Sequence, residues 1–169
     1  MSSFVCVGNA VQPFTRLLDA VDRLAMKLPQ PVVVQFGAAE NWEGINCEGV
    51  DFLGMHEFEK HAEESLVTIM HAGAGSIIHA LQAGKVPVIV PRRFSNGEHV
   101  DDHQVEFCRQ LANELRVVVC EDIADLEESV TIAMHRQNEI TKDSRDIKML
   151  DLLGNVFKQH TNKYSHEES

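Results

Sequence analysis

Residues 66 to 104 carry the pattern that most restricts the fold. Leu66-Val67-Thr68-Ile69-Met70 is an apolar, partly β-branched run. His71-Ala72-Gly73-Ala74-Gly75-Ser76 is a glycine-rich turn, after which Ile77, Ile78, Ala80 and Leu81 resume at helical spacing. This order predicts a strand, a tight turn and a helix. Gly84 reads as the glycine just past the helix end, and Val86-Pro87-Val88-Ile89-Val90 as a second buried strand closed by Pro91. The whole is one βαβ unit.

Gly73 and Gly75 read as positions that permit positive φ and close backbone approach. The free N–H groups and the dipole at the new helix favour an anion there, most naturally a phosphate. A lone Gly-x-Gly is equally compatible with a tight crossover and nothing more, and at this level both readings stand. After the second strand comes a loop dense in functional side chains: Arg92, Arg93, Asn96, Glu98, His99, Asp101, Asp102, His103 and Gln104. Loop and turn both lie beyond the carboxyl ends of parallel strands, where open α/β sheets bind ligands, so the two are expected to face one crevice.

The rest of the chain repeats the alternation. Phe4 to Gly8 reads as a strand, and Phe14, Leu17, Leu18, Val21, Leu24, Ala25 and Leu28 as the apolar face of a helix begun at Pro13. Val32 to Phe36 is the next strand, residues 38 to 48 a loop in which Trp42 is taken as packing, and Val50 to Leu53 a short strand. A surface helix follows over 56 to 64, another over 105 to 115, a last buried strand over 117 to 120, and a helix capped by Asp122 that runs to about Met134. Ile147, Met149, Leu150, Leu152, Leu153, Val156 and Phe157 predict a final helix over about 146 to 159, dense enough in apolar residues to hold a partner or to fold back on its own sheet. Residues 161 to 169 are polar and read as a disordered tail. The expected fold is a single α/β domain over 1 to 160 with a doubly wound, mostly parallel, Rossmann-like sheet of five or six strands.

Charge and cysteine usage narrow the function. A net charge of -11 argues against nucleic acid, which needs a basic stripe, so any anion must be held locally. Cys6, Cys47, Cys108 and Cys120 show no paired spacing, which leaves reduced thiols and a cytoplasmic setting as the expectation. No long apolar run or basic amphipathic stretch predicts a membrane anchor. Gly8 lacks the companions of a dinucleotide fingerprint, and the Walker lysine spacing is missing. His99, Asp101, Asp102 and His103 are metal-ligand types, but their adjacency makes a closed shell awkward, and neither a metal nor a cofactor is expected. Arg92 and Arg93 suit either a diphosphate or ion pairs with Glu98 and Asp101. His71 is either a cap of the turn or a ligand contact, and His79 either packed or exposed.

His71-Ala72-Gly73-Ala74-Gly75-Ser76, then Gly84-Lys85-x-Pro87 with Val90-Pro91-Arg92, then Gly97-Glu98-His99-x-x-Asp102-His103-Gln104, resembles the C-terminal, donor-binding domain of family 28 glycosyltransferases. It is most similar to the small subunits of split transferases of exopolysaccharide or dolichol-linked oligosaccharide synthesis. Val5-Cys6-Val7-Gly8, Pro13-Phe14 and Leu17-Leu18 extend the resemblance over roughly residues 4 to 120. What it implies is half of a GT-B enzyme: the UDP-sugar-binding subunit of an inverting, two-component transferase. The lipid-linked acceptor would be bound by a membrane-associated partner subunit that also carries the general base, so no catalytic residue is assigned here, and homo-oligomers remain open. The implied donor site comprises Gly8, His71, Gly73, Ala74, Gly75, Ser76, His79, Arg92, Asp102, His103 and Gln104, with diphosphate over residues 73 to 76 and the sugar near 102 to 104. Many members have a ribose-binding glutamate three residues after the serine, where this chain has His79. The rival readings are a non-catalytic nucleotide-sensing module and a nucleotide-sugar hydrolase or epimerase, from which sugar transfer to a lipid extract would separate a transferase.

Overall fold

The computed structural model describes residues 2–112 and 117–140. In chain order these residues form β1 (Ser2–Cys6), α1 (Thr15–Leu24), β2 (Val32–Gln35), β3 (Glu48–Val50), α2 (Met55–Glu64), β4 (Ser65–His71), α3 (Ala74–Gln82), β5 (Val88–Val90), α4 (His103–Leu111), β6 (Val118–Val119) and α5 (Leu126–Ile140). The six strands are all parallel, in the order β3-β2-β1-β4-β5-β6. The fold is therefore the doubly wound, Rossmann-like sheet that the alternation of patterns implies. The helix expected over 146 to 159 and the tail over 161 to 169 lie outside the described residues.

Strand residues alternate between two cores, as a period of two requires. Val5, Val34, Ile69, Val88 and Val90 face one layer, against Leu17, Leu18 and Val21 of α1 and Leu126, Val130 and Ala133 of α5. Phe4, Cys6, Met70 and Ile89 face the other, against Phe58 of α2, Ile77, Ala80 and Leu81 of α3, and Phe107 and Leu111 of α4. With both faces covered, the central strands read as nearly unbroken apolar runs, which is why they were legible.

Chain order reverses across the sheet between β1 and β4. From β1 the chain works outward through β2 to β3, then returns by α2 to lay β4 on the other side of β1. Loops leaving the carboxyl ends of β1 and β4 therefore diverge and open a crevice at the switch point. The glycine-rich turn lies there, at the end of β4.

Element ends differ from the sequence reading where polar contacts outrank hydrophobic pattern. α3 closes as expected, with Gly84 at φ +73, its N–H on the Leu81 carbonyl at 2.9 Å and the Lys85 N–H on Ala80 at 3.0 Å. This pair of bonds is the Schellman arrangement. α5 runs six residues beyond Met134, to Ile140. Its extra turns conceal their inward face because the buried position is a glutamine: Gln137 accepts from the Val86 N–H at 2.8 Å and donates to the Gly84 carbonyl at 2.9 Å. It thereby satisfies backbone groups at the end of α3 and the approach to β5. Gln137→Ala would leave both without that partner, and the expected loss is about 1–3 kcal/mol in urea unfolding. A loss within error of zero would show that water serves those groups equally well.

Candidate functional site

At the switch point α3 begins without a side-chain cap. Gly73 is its N-cap at φ -86 and ψ 125, and the first amide returned into the helix is that of Ile77, on the Gly73 carbonyl at 3.1 Å. The N–H groups of Ala74, Gly75 and Ser76 meet no acceptor among the described residues. Ala74 and Gly75 are exposed and Ser76 half-buried, so these donors stand open to the crevice. An added Cβ at Gly75 would have nothing within 4 Å. Three unpaired donors, the positive end of a helix dipole and clear space above it have the geometry and polarity to accept an anionic oxygen cluster.

The turn's glycines serve purposes other than the positive φ expected of them. Neither Gly73 nor Gly75 has a positive φ, whereas Gly8, Gly37, Gly84 and Gly97 do. At Gly73 the constraint is the imidazole of His71: an added Cβ would collide with its Nε2, Cε1 and Cδ2. Gly8, at φ +77 after β1, meets the same ring, its added Cβ falling 2.5 Å from Cε1 and Nε2. His71 is thus wedged between the loops that leave the two strands flanking the crevice. Burial first, and then the nearby Arg92 guanidinium, push its pKa down to about 4, so the ring is neutral at physiological pH. Its Nδ1 is buried and has no hydrogen-bond partner among the described residues.

Beside this ring, the loops after β1 and β5 are joined by two arginines. Arg92 is 1% exposed. Its Nη1 donates to the carbonyls of Gln12 at 2.7 Å and Glu98 at 2.9 Å, and its Nη2 to that of Val7 at 2.7 Å. Its guanidinium carbon lies 4.7 Å from the centre of the Phe14 ring. Desolvation lowers its pKa to about 10, which still leaves it charged. Arg16 of α1 makes a fork with Glu98, Nε to Oε1 at 2.7 Å and Nη2 to Oε2 at 2.9 Å, and reaches the Pro91 carbonyl with the same Nη2 at 2.9 Å. Burial alone would raise the Glu98 carboxyl; the Arg16 fork and the Arg93 N–H outweigh it and hold the pKa below the ordinary value.

The remaining expected site residues are distributed unevenly. Gln104 lies on the first turn of α4 and accepts the Arg92 N–H at 3.1 Å, which leaves its amide as a donor. Asp102 precedes that helix, accepts the Phe94 N–H at 3.0 Å and lines a shallow concavity of about 280 Å³ with Arg93 and Arg109. His103 is turned to Asp101, Nδ1 to Oδ2 at 2.9 Å, while His99 takes the other oxygen of the same carboxylate at 3.0 Å. His79 faces α2, with Nδ1 3.3 Å from Glu59 Oε1 and its ring edge-on to Phe58. Gly8, His71, Gly73, Ala74, Gly75 and Ser76 are therefore brought to one place, and Gln104 is coupled to that place through Arg92. Arg92 turns inward beneath the loops, its two terminal nitrogens taken by backbone carbonyls and its Nε buried with no hydrogen-bond partner among the described residues. The sequence reading does not single out Arg16; Phe14 enters it only as helix face and as part of the resemblance, and Glu98 only in that resemblance and as a loop charge that could pair with Arg92 or Arg93. Arg16 and Glu98 are 82 residues apart, and no local spacing pairs them.

Comparison with known proteins gives the family and the fold. The profile of the glycosyltransferase family 28 C-terminal domain matches residues 3–156. The UDP-N-acetylglucosamine transferase subunit ALG13 of Yarrowia lipolytica is 34% identical over 71 residues, which are 42% of this chain and 34% of that one. The chain thus spans about a third of the length of that relative. The crystal structure of Acinetobacter baumannii MurG superposes with a TM-score of 0.55 at 16% identity, over 94% of this chain and 50% of its own. That likeness is one of fold. Among the described residues no helix is long and apolar enough to cross a membrane.

Two expectations follow from the wedged imidazole. Gly73→Ala should cost about 1–3 kcal/mol, as overpacking does, and at least about 0.5 kcal/mol less in a His71→Ala background; equal costs would free the ring of responsibility for that glycine. Protonation gives the second. His71 is neutral in both states above its ordinary value of 6.5; below it the unfolded chain takes up a proton that the folded chain refuses until about pH 4, so stability falls across that window. In His71→Gln, urea-derived stability should fall less steeply between those pH values, and a slope equal to the parent's would contradict the assignment.

Proposed function

This chain belongs to the glycosyltransferase family 28 C-terminal domains, and from that premise we propose that it is the donor-binding subunit of a two-component inverting glycosyltransferase. In this reading it holds a UDP-sugar, while a membrane-associated partner presents a lipid-linked acceptor and the general base. The observation that carries the reading is the trio of unpaired amides over Ala74, Gly75 and Ser76 beneath open space at the switch point. Support for a split enzyme comes from the related ALG13 chain, described as a subunit of a UDP-N-acetylglucosamine transferase.

The roles then follow from charge and geometry. The diphosphate seats on the three amides, whose partial positive charge is not offset by any carboxylate on the turn. Neutral His71 offers hydrogen bonding without a second charge to desolvate, and Arg92 supplies positive potential from below without touching the ligand. As the bond from the anomeric carbon to the diphosphate breaks, negative charge grows on the leaving oxygen, and donors already aligned there stabilise it with little reorganisation. Gln104, with its amide free to donate, is assigned to a sugar hydroxyl beside His103 and Asp102. His79, turned to Glu59 and Phe58 of α2, is given no contact with the donor. Cytoplasmic operation with recruitment to the membrane by the partner completes the proposal.

Gly75→Val tests it, since the site has room for the side chain but a diphosphate would lose its seat. The variant should fold with near-parent stability by circular dichroism and bind UDP about tenfold or more weakly by calorimetry, a difference of about 1.4 kcal/mol. Unchanged affinity in a folded variant would overturn the phosphate assignment. Labelled sugar from UDP-N-acetylglucosamine should reach a lipid extract only when the partner is present; transfer by the chain alone, or release of free sugar, would overturn the division of labour.

A further inference from the structure

A second concavity, of about 670 Å³, lies between α1 and the loop after β2. Its lining includes the carboxylates of Asp19, Asp22, Glu40 and Glu43, the indole of Trp42 and the side chain of Ile45, and no lysine or arginine. Asp19, Glu40 and Glu43 meet no cation among the described residues. The groove is therefore both acidic and partly apolar.

Its shape is preformed. The Trp42 indole packs on Phe36 with ring centres 5.9 Å apart and lies so close over Gly44 that an added Cβ there would fall 2.8 Å from it. Asn46 ties the far end of the loop to α1, its N–H on Asp22 Oδ1 at 2.9 Å and its side-chain amide on the Asp22 carbonyl at 3.3 Å. Between these two anchors Ile45 is held 88% exposed. There it joins Trp42 as an apolar part of the groove's lining.

The groove also continues the edge on which the donor crevice lies. Of the eight large apolar side chains exposed among the described residues, Val11, Ile45, Phe52, Phe94 and Val100 hang on loops that leave the carboxyl ends of β1, β2, β3 and β5. An apolar edge of this kind could meet a membrane, a second copy or another protein, and charge decides among them. Four carboxylates repel an anionic lipid surface, and a chain of net charge -11 repels its own copy at an acidic groove. A cationic segment with apolar side chains complements it.

We propose that this groove seats a lysine- or arginine-bearing, partly apolar segment of the partner subunit, with Ile45 and Trp42 as the apolar contacts and Asp19, Glu40 and Glu43 as the charged ones. The inference rests on the two-component reading above and adds to it the surface by which the acceptor half is held beside the donor crevice.

The test places the photo-crosslinking residue p-benzoylphenylalanine at Ile45 of the full chain in its own cells, and identifies the crosslinked peptides by mass spectrometry. The expected product joins position 45 to a basic segment of the polypeptide that restores sugar transfer to lipid. Asp19→Lys combined with Glu43→Lys should then weaken co-purification of that polypeptide about tenfold, reversed in part by exchanging the crosslinked basic residue for glutamate. UDP affinity should stay within about twofold of the parent, because neither residue belongs to the donor site. Crosslinks confined to this chain, to a second copy or to lipid would overturn the proposal, as would a complex indifferent to the charge reversal. Absence of UDP binding by the unaltered chain, with the crosslink still formed, would remove the donor reading and leave the interface standing.

Discussion

The buried guanidinium of Arg92 is the constraint on which the architecture of the crevice depends. It draws the Val7 and Gln12 carbonyls of one loop and the Glu98 carbonyl of another to a single cation, against the Phe14 ring. Each of these carbonyls would otherwise need water or a different partner. Taking a cation out of water is costly, and the arrangement persists because several oxygens and an aromatic face replace its hydration. Removing the cation would strand three inward-facing carbonyls at once, so the loops after β1 and β5 are fixed together or not at all. Arg16 and Glu98 extend the clamp toward α1, and the Arg16 fork and the Arg93 N–H favour the ionised carboxylate.

On this base His71 acts as a spacer between the two strand ends. Its ring fills the volume that Gly8 and Gly73 leave, so the separation of the loop after β1 from the start of α3 is set by an aromatic thickness. The same packing keeps it neutral. In a chain of net charge -11 the positive potential of the crevice has to be built locally, and it comes from oriented amides and a sequestered arginine rather than from surface lysines. Such a source is insensitive to salt compared with an exposed basic patch.

The candidate sites lie along one edge of the sheet because parallel strands send all of their outgoing loops there. The amides of α3, the shallow concavity beside Arg93 and Asp102, and the acidic groove beside Trp42 lie on loops or helix starts that follow β1, β2, β4 and β5. The opposite edge contributes connections such as the Gln137 contact with Val86 and Gly84, whose work is to satisfy buried backbone.

Sequence alone determined what periodicity and local chemistry encode: five or six strands alternating with helices, the C′ glycine at Gly84, the cap at Asp122, and a glycine-rich turn from strand into helix over Gly73 to Ser76. These are properties of neighbours within one turn or one strand, where residue type and spacing fix backbone geometry. The long-range pairings escaped it. That Gly8 and Gly73 both meet one imidazole, that Arg92 points inward while Gln104 holds its N–H, that His79 turns to Glu59, and that Asp19 and Glu43 line one groove all depend on which strands lie side by side. Residues 63, 80 or 82 positions apart leave no periodic signal of their contact. Only the packed sheet, by setting β4 beside β1 and the loop after β5 above Phe14, decided what those side chains do.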